Sequence, residues 1–180
     1  MPGGRLSEAH LANRITEALN KRFGQGDWLL PGGTMAAPYF NLKLVEARKL
    51  DRAQVEEVAA AAARQEPHIA RVFTRTQILN GMLPTDPISR AVALSFYEPR
   101  SSDLYILPEP YYLFEASGTS HGTPYDYDSH VPVIFWGPGI KPGRYSNSVV
   151  VNDVAPTLAN MLGIETPAAS YGRVLTEMLE

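Results

Sequence analysis

Apolar residues recur along the chain with two periods, one typical of helices and one typical of strands. Between residues 7 and 23 they fall on one helical face, which predicts an amphipathic helix with Ser7 as its N-cap and Gly24 at its end. Asp51 and Gln54 have the spacing of a capping box, so a second helix is predicted to begin there and to end before the next proline. Helical patterns also occur at residues 77–79, 87–96, 153–162 and 170–179.

Four short segments have the pattern of strands, because their residues either alternate between apolar and polar or are continuously apolar. They are Tyr39–Leu44, Ile69–Thr74, Leu104–Leu107 and Val131–Trp136. Pro132 is compatible with the last of these only near a strand end, because proline lacks the amide that a sheet ladder requires. Strands and helices alternate without an internal repeat. The predicted fold class is therefore α/β, with a small mixed sheet flanked by helices, in a single domain of residues 1–180 that begins with the helix at 1–24.

The composition is that of an ordinary folded domain. Hydrophobic residues make up 44% and charged residues 19% of the 180 residues, which argues against disorder. The net charge of −3 and the scattered basic residues predict no nucleic-acid partner, and no apolar run has the length of a membrane span. The absence of cysteine excludes disulfides, thiolate zinc sites and cysteine nucleophiles.

The polar segment Gly118–His130 is the candidate for chemistry. It places His121 between small, turn-forming residues just ahead of an apolar run, and this arrangement can present a rigid ligand at the edge of a sheet. A turn histidine that hydrogen-bonds to the backbone is the alternative interpretation of His121. Asp126 and His130 are four residues apart and could share a metal ion on a helix. The intervening sequence is typical of a loop, so we interpret Asp126, Asp128 and His130 as residues that brace it.

Five short sequence strings between residues 100 and 157 are considered as a group. They are Arg100–Asp103, Ser120–Asp128, His130–Gly137, Ile140–Gly143 and Val151–Thr157. In combination they resemble the carboxyl-terminal part of the alkaline phosphatase superfamily, and the resemblance runs from about residue 39 to residue 180. The closest group comprises type I phosphodiesterases and single-chain bacterial zinc-dependent alkaline phosphatases, which use a threonine or serine nucleophile between two zinc ions.

The resemblance implies hydrolysis of phosphate esters, with zinc as the cofactor and a phosphate-ester small molecule as the substrate. It gives one zinc-ligand position to this chain, that of His121. It also implies a periplasmic or secreted location, because the family is usually exported. Five further residues are expected to border the site or to support its ligands: Thr119, Thr123, Asp126, Asp128 and His130.

The catalytic half of the family's pattern is missing. Each zinc ion needs about three protein ligands, and the family takes most of them from Asp-His and Asp-x-x-x-His strings. The chain has no Asp-His pair, its single Asp-x-x-x-His string at Asp126 and His130 stands in another place, and no threonine has the context of the nucleophile. We therefore expect no catalytic residue in this chain and neither hydrolysis nor zinc binding by the chain alone. The start at Met1–Gly4 is interpreted as a possible boundary of a shortened protein.

Two alternatives stay open at this point. The chain could be a non-catalytic module, a truncated paralogue or partner-binding domain that retains only the fold. It could also be related to sulfatases or phosphoglycerate mutases, which share the helix start at Asp153–Thr157, although the string Ser120–Tyr125 favours the phosphatase branch. A sheet that continues into a missing half would expose an edge and an apolar face, which predicts a homo-oligomer.

Overall fold

The computed structural model describes residues 3–180, which divide into a first unit that ends at Ser129 and a second unit, His130–Glu180. The strands of the first unit are β1 (Gly4–Arg5), β2 (Ile69–Thr74), β3 (Leu104–Pro108) and β4 (Tyr112–Leu113). Its helices are α1 (Glu8–Phe23), α2 (Leu42–Ala47), α3 (Arg52–Arg64), α4 (Arg75–Leu79), α5 (Pro87–Ser95) and α6 (Asp126–Ser129). The second unit contains α7 (Val154–Leu162), with 3-10 turns at Val151–Asp153 and Thr176–Met178.

Capping side chains determine where the longer helices of the first unit begin. Ser7, Asp51 and Asp86 each accept a hydrogen bond from a backbone amide in the first turn of α1, α3 and α5. Gly24 ends α1 with a φ of 90°, which a side chain would disfavour. The predicted helices at these three places and the strands β2 and β3 are confirmed to within about three residues, since element ends are set only loosely by local pattern.

The core of the first unit lies between helices and a sheet. Helix α3 packs against α1 on one side and against β2 on the other, and β2 pairs antiparallel with β3. Strand β1 pairs parallel with β4 in a separate two-stranded sheet. The α/β class with small sheets flanked by helices is therefore confirmed. The fully buried apolar residues of this core are Ile15, Leu19, Trp28, Phe40, Val55, Ala59, Ala60, Ala63, Leu104 and Ile106.

The predicted strand Tyr39–Leu44 is wrong beyond Phe40. Phe40 forms an isolated antiparallel bridge with Leu29, but the next residue, Asn41, accepts a hydrogen bond from the amide of Leu44 and begins α2. Asparagine is a strong N-cap, and the leucine, lysine, glutamate and alanine that follow favour a helix. An alternation of six residues is too short to distinguish a strand from the first turns of a capped helix.

Two predictions in the second unit are also wrong. The run Val131–Trp136 does not form a strand, because no backbone hydrogen bond among residues 3–180 pairs it with a neighbour. The predicted helix at Ser170–Leu179 is reduced to the turn Thr176–Met178. Leu179, at the end of this segment, instead forms an isolated antiparallel bridge with Ile140. This pairing joins residues far apart in the chain, so the local sequence gives no indication of it.

Asp153 lies at the start of the predicted helix 153–162, but its side chain does not cap α7. Helix α7 begins beside it and ends at Gly163 in a left-handed conformation with a φ of 63°, as predicted. The carboxylate, however, accepts hydrogen bonds from the amides of Val150 at 2.9 Å and Arg173 at 2.8 Å. These backbone hydrogen bonds hold its pKa below the usual range. Asp153 therefore ties the segment before α7 to the carboxyl-terminal segment of the second unit.

A buried ionic group joins α3 to the start of β3. The carboxylate of Asp103, which is 2% exposed, accepts hydrogen bonds from the guanidinium of Arg52 and, at 2.7 Å, from the amide of Phe40. Glu56 is fully buried, and its carboxylate accepts a hydrogen bond from the amide of Thr76 at 2.8 Å. The same carboxylate lies 3.2 Å from the guanidinium of Arg52. Burial raises the pKa of Glu56. The arginine that stabilises Asp103 is thus Arg52 on α3, 51 positions earlier in the chain.

Candidate functional site

His121 lies on a segment of irregular backbone between β4 and α6, here called the histidine loop and defined as Glu115–Tyr125. The residue is exposed, and its imidazole makes no hydrogen bond to any other described residue. Gly118 and Gly122 flank it with φ values of 78° and 96°, a region of backbone conformation that glycine adopts without strain. The turn therefore presents the ring nitrogens of His121 to solvent.

The amino-terminal end of the histidine loop is held by Arg5. The guanidinium of Arg5 donates to the carbonyl oxygens of Glu115 at 2.6 Å and Gly118 at 2.7 Å. Because β1 is parallel to β4, this arginine is placed directly beside the point where the loop begins. The hydroxyl of Ser120 donates to the carboxylate of Glu115, and this hydrogen bond is the main reason why the pKa of Glu115 is lowered.

The carboxyl-terminal end of the loop is held by Asp128. One oxygen of its carboxylate accepts both the hydroxyl of Thr123 at 2.6 Å and the amide of Thr123 at 3.0 Å. The hydroxyl of Tyr125 donates to the carbonyl oxygen of Pro108 at 2.7 Å, which attaches the loop to the end of β3. His121 is therefore carried by a loop that is fastened on both sides.

A stack of tyrosine rings supports the same region. The ring of Tyr127 stacks on Tyr111, with centroids 4.7 Å apart, and on Tyr125, with centroids 5.7 Å apart. The hydroxyl of Tyr127 also accepts the amide of Tyr111 at 3.0 Å. Burial raises the pKa of Tyr125, so its hydroxyl stays a hydrogen-bond donor over a wide pH range. The stack fixes α6 beside the turn that follows β3.

The other residues singled out from the sequence have varied surroundings. Asp126 is exposed at the start of α6, so this segment is a helical turn and not the plain loop that was expected. His130 begins the second unit, and Thr119 is exposed in the histidine loop. The roles predicted for Asp126, His130 and Thr119, to border the site or to support its ligands, stay predictions. Arg5 was not anticipated, since contacts across more than a hundred residues leave no local pattern. The tyrosine stack was not anticipated either, because the chain must turn back on itself to bring Tyr111 onto Tyr127.

The residues of this chain do not by themselves fit a complete zinc site. A zinc ion in a catalytic site takes about three protein ligands. Within residues 3–180, no three histidine, aspartate or glutamate side chains are close enough together to hold a metal ion. His121 has the chemistry of a ligand and the necessary exposure, but the described residues supply no partners for it.

Replacing Asp128 by alanine is expected to loosen the loop beside His121. Both hydrogen bonds that Thr123 donates to the carboxylate would be lost. A hydrogen bond to a charged acceptor contributes about 1.5 kcal/mol or more to stability, so the amide hydrogen of Thr123 should exchange with solvent at least about tenfold faster. Amide exchange and nuclear magnetic relaxation of residues 119–123 would measure the change. The matched control is Asp126→Ala, two residues away and exposed. Equal exchange rates in both variants would contradict a fastening role for Asp128.

Comparison with known proteins gives a consistent set of relatives, although no protein-family model matches the chain. It is 29% identical to alkaline phosphatase PafA of Elizabethkingia meningoseptica over 99% of its length, and 30% identical to alkaline phosphatase PhoK of a Sphingomonas species over 72%. The crystal structure of wild-type PafA superposes on the whole chain with a TM-score of 0.86 and 27% identity.

These relatives are much longer than the chain. The 180 residues span 33% of PafA and 24% of PhoK in sequence, and 34% of the PafA crystal structure. The match to PafA also includes α1, so it extends further towards the start of the chain than the motifs recognised in the sequence. Among residues 3–180, no helix is both long and apolar enough to cross a membrane.

Proposed function

Because the chain belongs to the alkaline phosphatase superfamily and corresponds to the carboxyl-terminal portion of its fold, we propose that it forms part of an enzyme that hydrolyses phosphate esters. In this proposal the chain contributes His121 as one zinc ligand. The remaining ligands and the threonine or serine nucleophile lie in the two thirds of the relatives' length that the chain does not match. A periplasmic or secreted location belongs to the same proposal.

The observation that carries this proposal is the presentation of His121. A metal ligand must be fixed in position before the metal binds, and its donor nitrogen must be free. The histidine loop meets both conditions, since Arg5 and Asp128 fasten its two ends and the imidazole is exposed. A zinc ion, when bound, would supply Lewis-acid stabilisation of a phosphoryl oxygen. The part of this chain is to hold one ligand and to shape one border of the site through Thr119 and Thr123.

A chimeric enzyme tests the proposal directly. In it, this chain would replace the matching third of PafA from Elizabethkingia meningoseptica, so that the relative supplies the other two thirds. We expect hydrolysis of a phosphate monoester, measured with p-nitrophenyl phosphate, and no hydrolysis by the 180-residue chain alone. A folded chimera without activity would contradict the proposal. Parallel assays with a phosphate diester would establish which class of ester the assembled site prefers.

A non-catalytic role is the second candidate. It is supported by the lack, among residues 3–180, of any three side chains that could hold a metal ion. In that case the chain would retain the superfamily's fold as a partner-binding module or truncated paralogue. The same chimera distinguishes the two roles, because a module that has lost the site's requirements would fold into the chimera without restoring zinc binding or hydrolysis.

A further inference from the structure

The carboxylate of Glu56 is buried with only one of its two oxygens hydrogen-bonded. Glu56 lies on α3, and its side chain is 0% exposed. Its Oε2 accepts the amide of Thr76 at the start of α4, at 2.8 Å. Its Oε1 has no hydrogen-bond partner among residues 3–180. An ionised carboxylate that is removed from water needs hydrogen bonds to both oxygens, so this position disfavours the negative charge.

A single arginine faces Glu56 and a second buried carboxylate. The Nε atom of Arg52 lies 3.0 Å from Oδ1 of Asp103 and 3.2 Å from Oε1 of Glu56. Its one hydrogen is directed at Asp103, which also accepts a hydrogen bond from Nη2 of the same guanidinium and another from the amide of Phe40. Glu56 is therefore within ion-pair distance of a cation that is hydrogen-bonded to a competing carboxylate.

Among residues 3–180, the elements packed against α3 bring no second cation into a pair with Glu56. On these elements, His10 and Arg14 pair with Glu66, Arg71 pairs with Asp86, and Arg75 pairs with Glu98. The other charged residues of α1 are Glu8, which accepts the amide of Met35, and the exposed Glu17, Lys21 and Arg22. Tyr105 on β3 stays neutral because burial raises its pKa. Burial is likewise the main reason why the pKa of Glu56 is raised, and the charge of Asp103 adds to this effect whereas Arg52 opposes it.

We propose that Glu56 keeps a proton in the folded protein at pH values where an exposed glutamate is ionised, and that release of this proton to solvent redirects Arg52 from Asp103 towards Glu56. With the proton in place, the three side chains carry one positive and one negative charge, which balance. Without it, two negative charges share one guanidinium, whose Nε hydrogen can serve only one of them. The cluster is thus a pH-sensitive junction between α3, the start of α4 and the start of β3.

The stability that this proton confers is present in acid and is lost as the pH rises. Below the ordinary glutamate pKa of 4.5, the carboxyl group is protonated in both the folded and the unfolded chain. Above this value the unfolded chain releases the proton while the folded chain still holds it. Across this window, one retained proton raises the equilibrium constant for unfolding by about tenfold per pH unit, and the loss ends at the raised pKa of the folded state.

Denaturant unfolding of the 180-residue chain and of Glu56→Gln, between about pH 4 and pH 9, tests the proposal. Glutamine is neutral at every pH and keeps an oxygen that can accept the amide of Thr76. The ratio of the unfolding constant of the unaltered chain to that of Glu56→Gln should be constant in acid, increase above pH 4.5 and then level off. The matched control is Glu57→Gln at the next position of α3, where the side chain is 56% exposed. This control should follow the pH dependence of the unaltered chain, and the same behaviour in Glu56→Gln would overturn the proposal.

Nuclear magnetic resonance of the unaltered protein tests the proton and the arginine directly, whether or not Glu56→Gln folds. The side-chain carboxyl carbon of Glu56 should titrate at a higher pH in the folded chain than in the chain unfolded by denaturant. The Nε–H resonance of Arg52 should shift with the same midpoint. In Asp103→Asn, which removes the competing charge, the midpoint of Glu56 should fall. Equal midpoints in the folded and unfolded chains, an Arg52 resonance that does not follow Glu56, or an unchanged midpoint in Asp103→Asn would each refute the switch.

Discussion

Replacing His121 by alanine is expected to abolish most of the phosphatase activity of the chimera with PafA. Loss of residues that merely support metal ligands costs about 10- to 100-fold in affinity or activity, so loss of a ligand itself should cost at least about a hundredfold. The expected cause is loss of metal, and the zinc content of the purified chimera should fall in parallel with the rate. Measurement of both quantities separates a ligand from a residue that only contacts the substrate.

The control for this experiment is His10→Ala. The side chain of His10 is 63% exposed and pairs with Glu66, on the surface of the first unit. This variant should keep its zinc and its activity. An unchanged zinc content in His121→Ala would show that His121 is an ordinary turn histidine. Calorimetry on the 180-residue chain adds a second check, because tight zinc binding that His121→Ala removes would mean that this chain holds ligands in addition to His121.

Replacing Asp103 by alanine is expected to destabilise the first unit by about 3 kcal/mol, since removing one partner of a buried ion pair leaves the other without its closest counter-charge. The amide of Phe40 loses its acceptor, and the guanidinium of Arg52 keeps only the more distant carboxylate of Glu56, at 3.2 Å. The estimate is at the lower end of the usual range because the side chain of Arg52 is 35% exposed and can recover some hydration. A decrease of this size is a large fraction of the stability of a typical domain.

Denaturant unfolding followed by the fluorescence of Trp28, which is 1% exposed in the core of the first unit, would measure the loss. Exposed Trp136 would be replaced by phenylalanine in every variant so that it does not contribute to the signal. Asp103→Asn keeps one acceptor oxygen and should cost less than Asp103→Ala. Glu46→Ala, an exposed acidic residue on α2, should change the free energy of unfolding by less than about 0.5 kcal/mol. Equal stabilities of the Asp103 and Glu46 variants would refute the structural role of Asp103.

Local chemistry allowed the helix starts to be predicted from the sequence. Ser7, Asp51 and Asp86 each bond to an amide within three residues of themselves, so the residues that make the cap are present in one short stretch. The exposed position of His121 has a similar origin, because Gly118 and Gly122 favour the tight backbone around it. The strand predicted from the alternation in Tyr39–Leu44 was wrong because a second local signal, the N-cap Asn41, favours a helix within the same few residues.

Only the tertiary structure decided which distant groups meet. Arg5 reaches the carbonyl of Glu115 across 110 positions, and Asp103 reaches Arg52 across 51 positions. Neither contact has a sequence pattern, because it depends on which backbones the folded chain brings side by side. The run Val131–Trp136 illustrates the same limit: its apolar residues predicted a strand, but a strand exists only where a second backbone supplies its hydrogen bonds. Capping bonds close within one turn of chain and can be read locally, whereas sheet ladders and buried ion pairs need partners that only the fold can bring together.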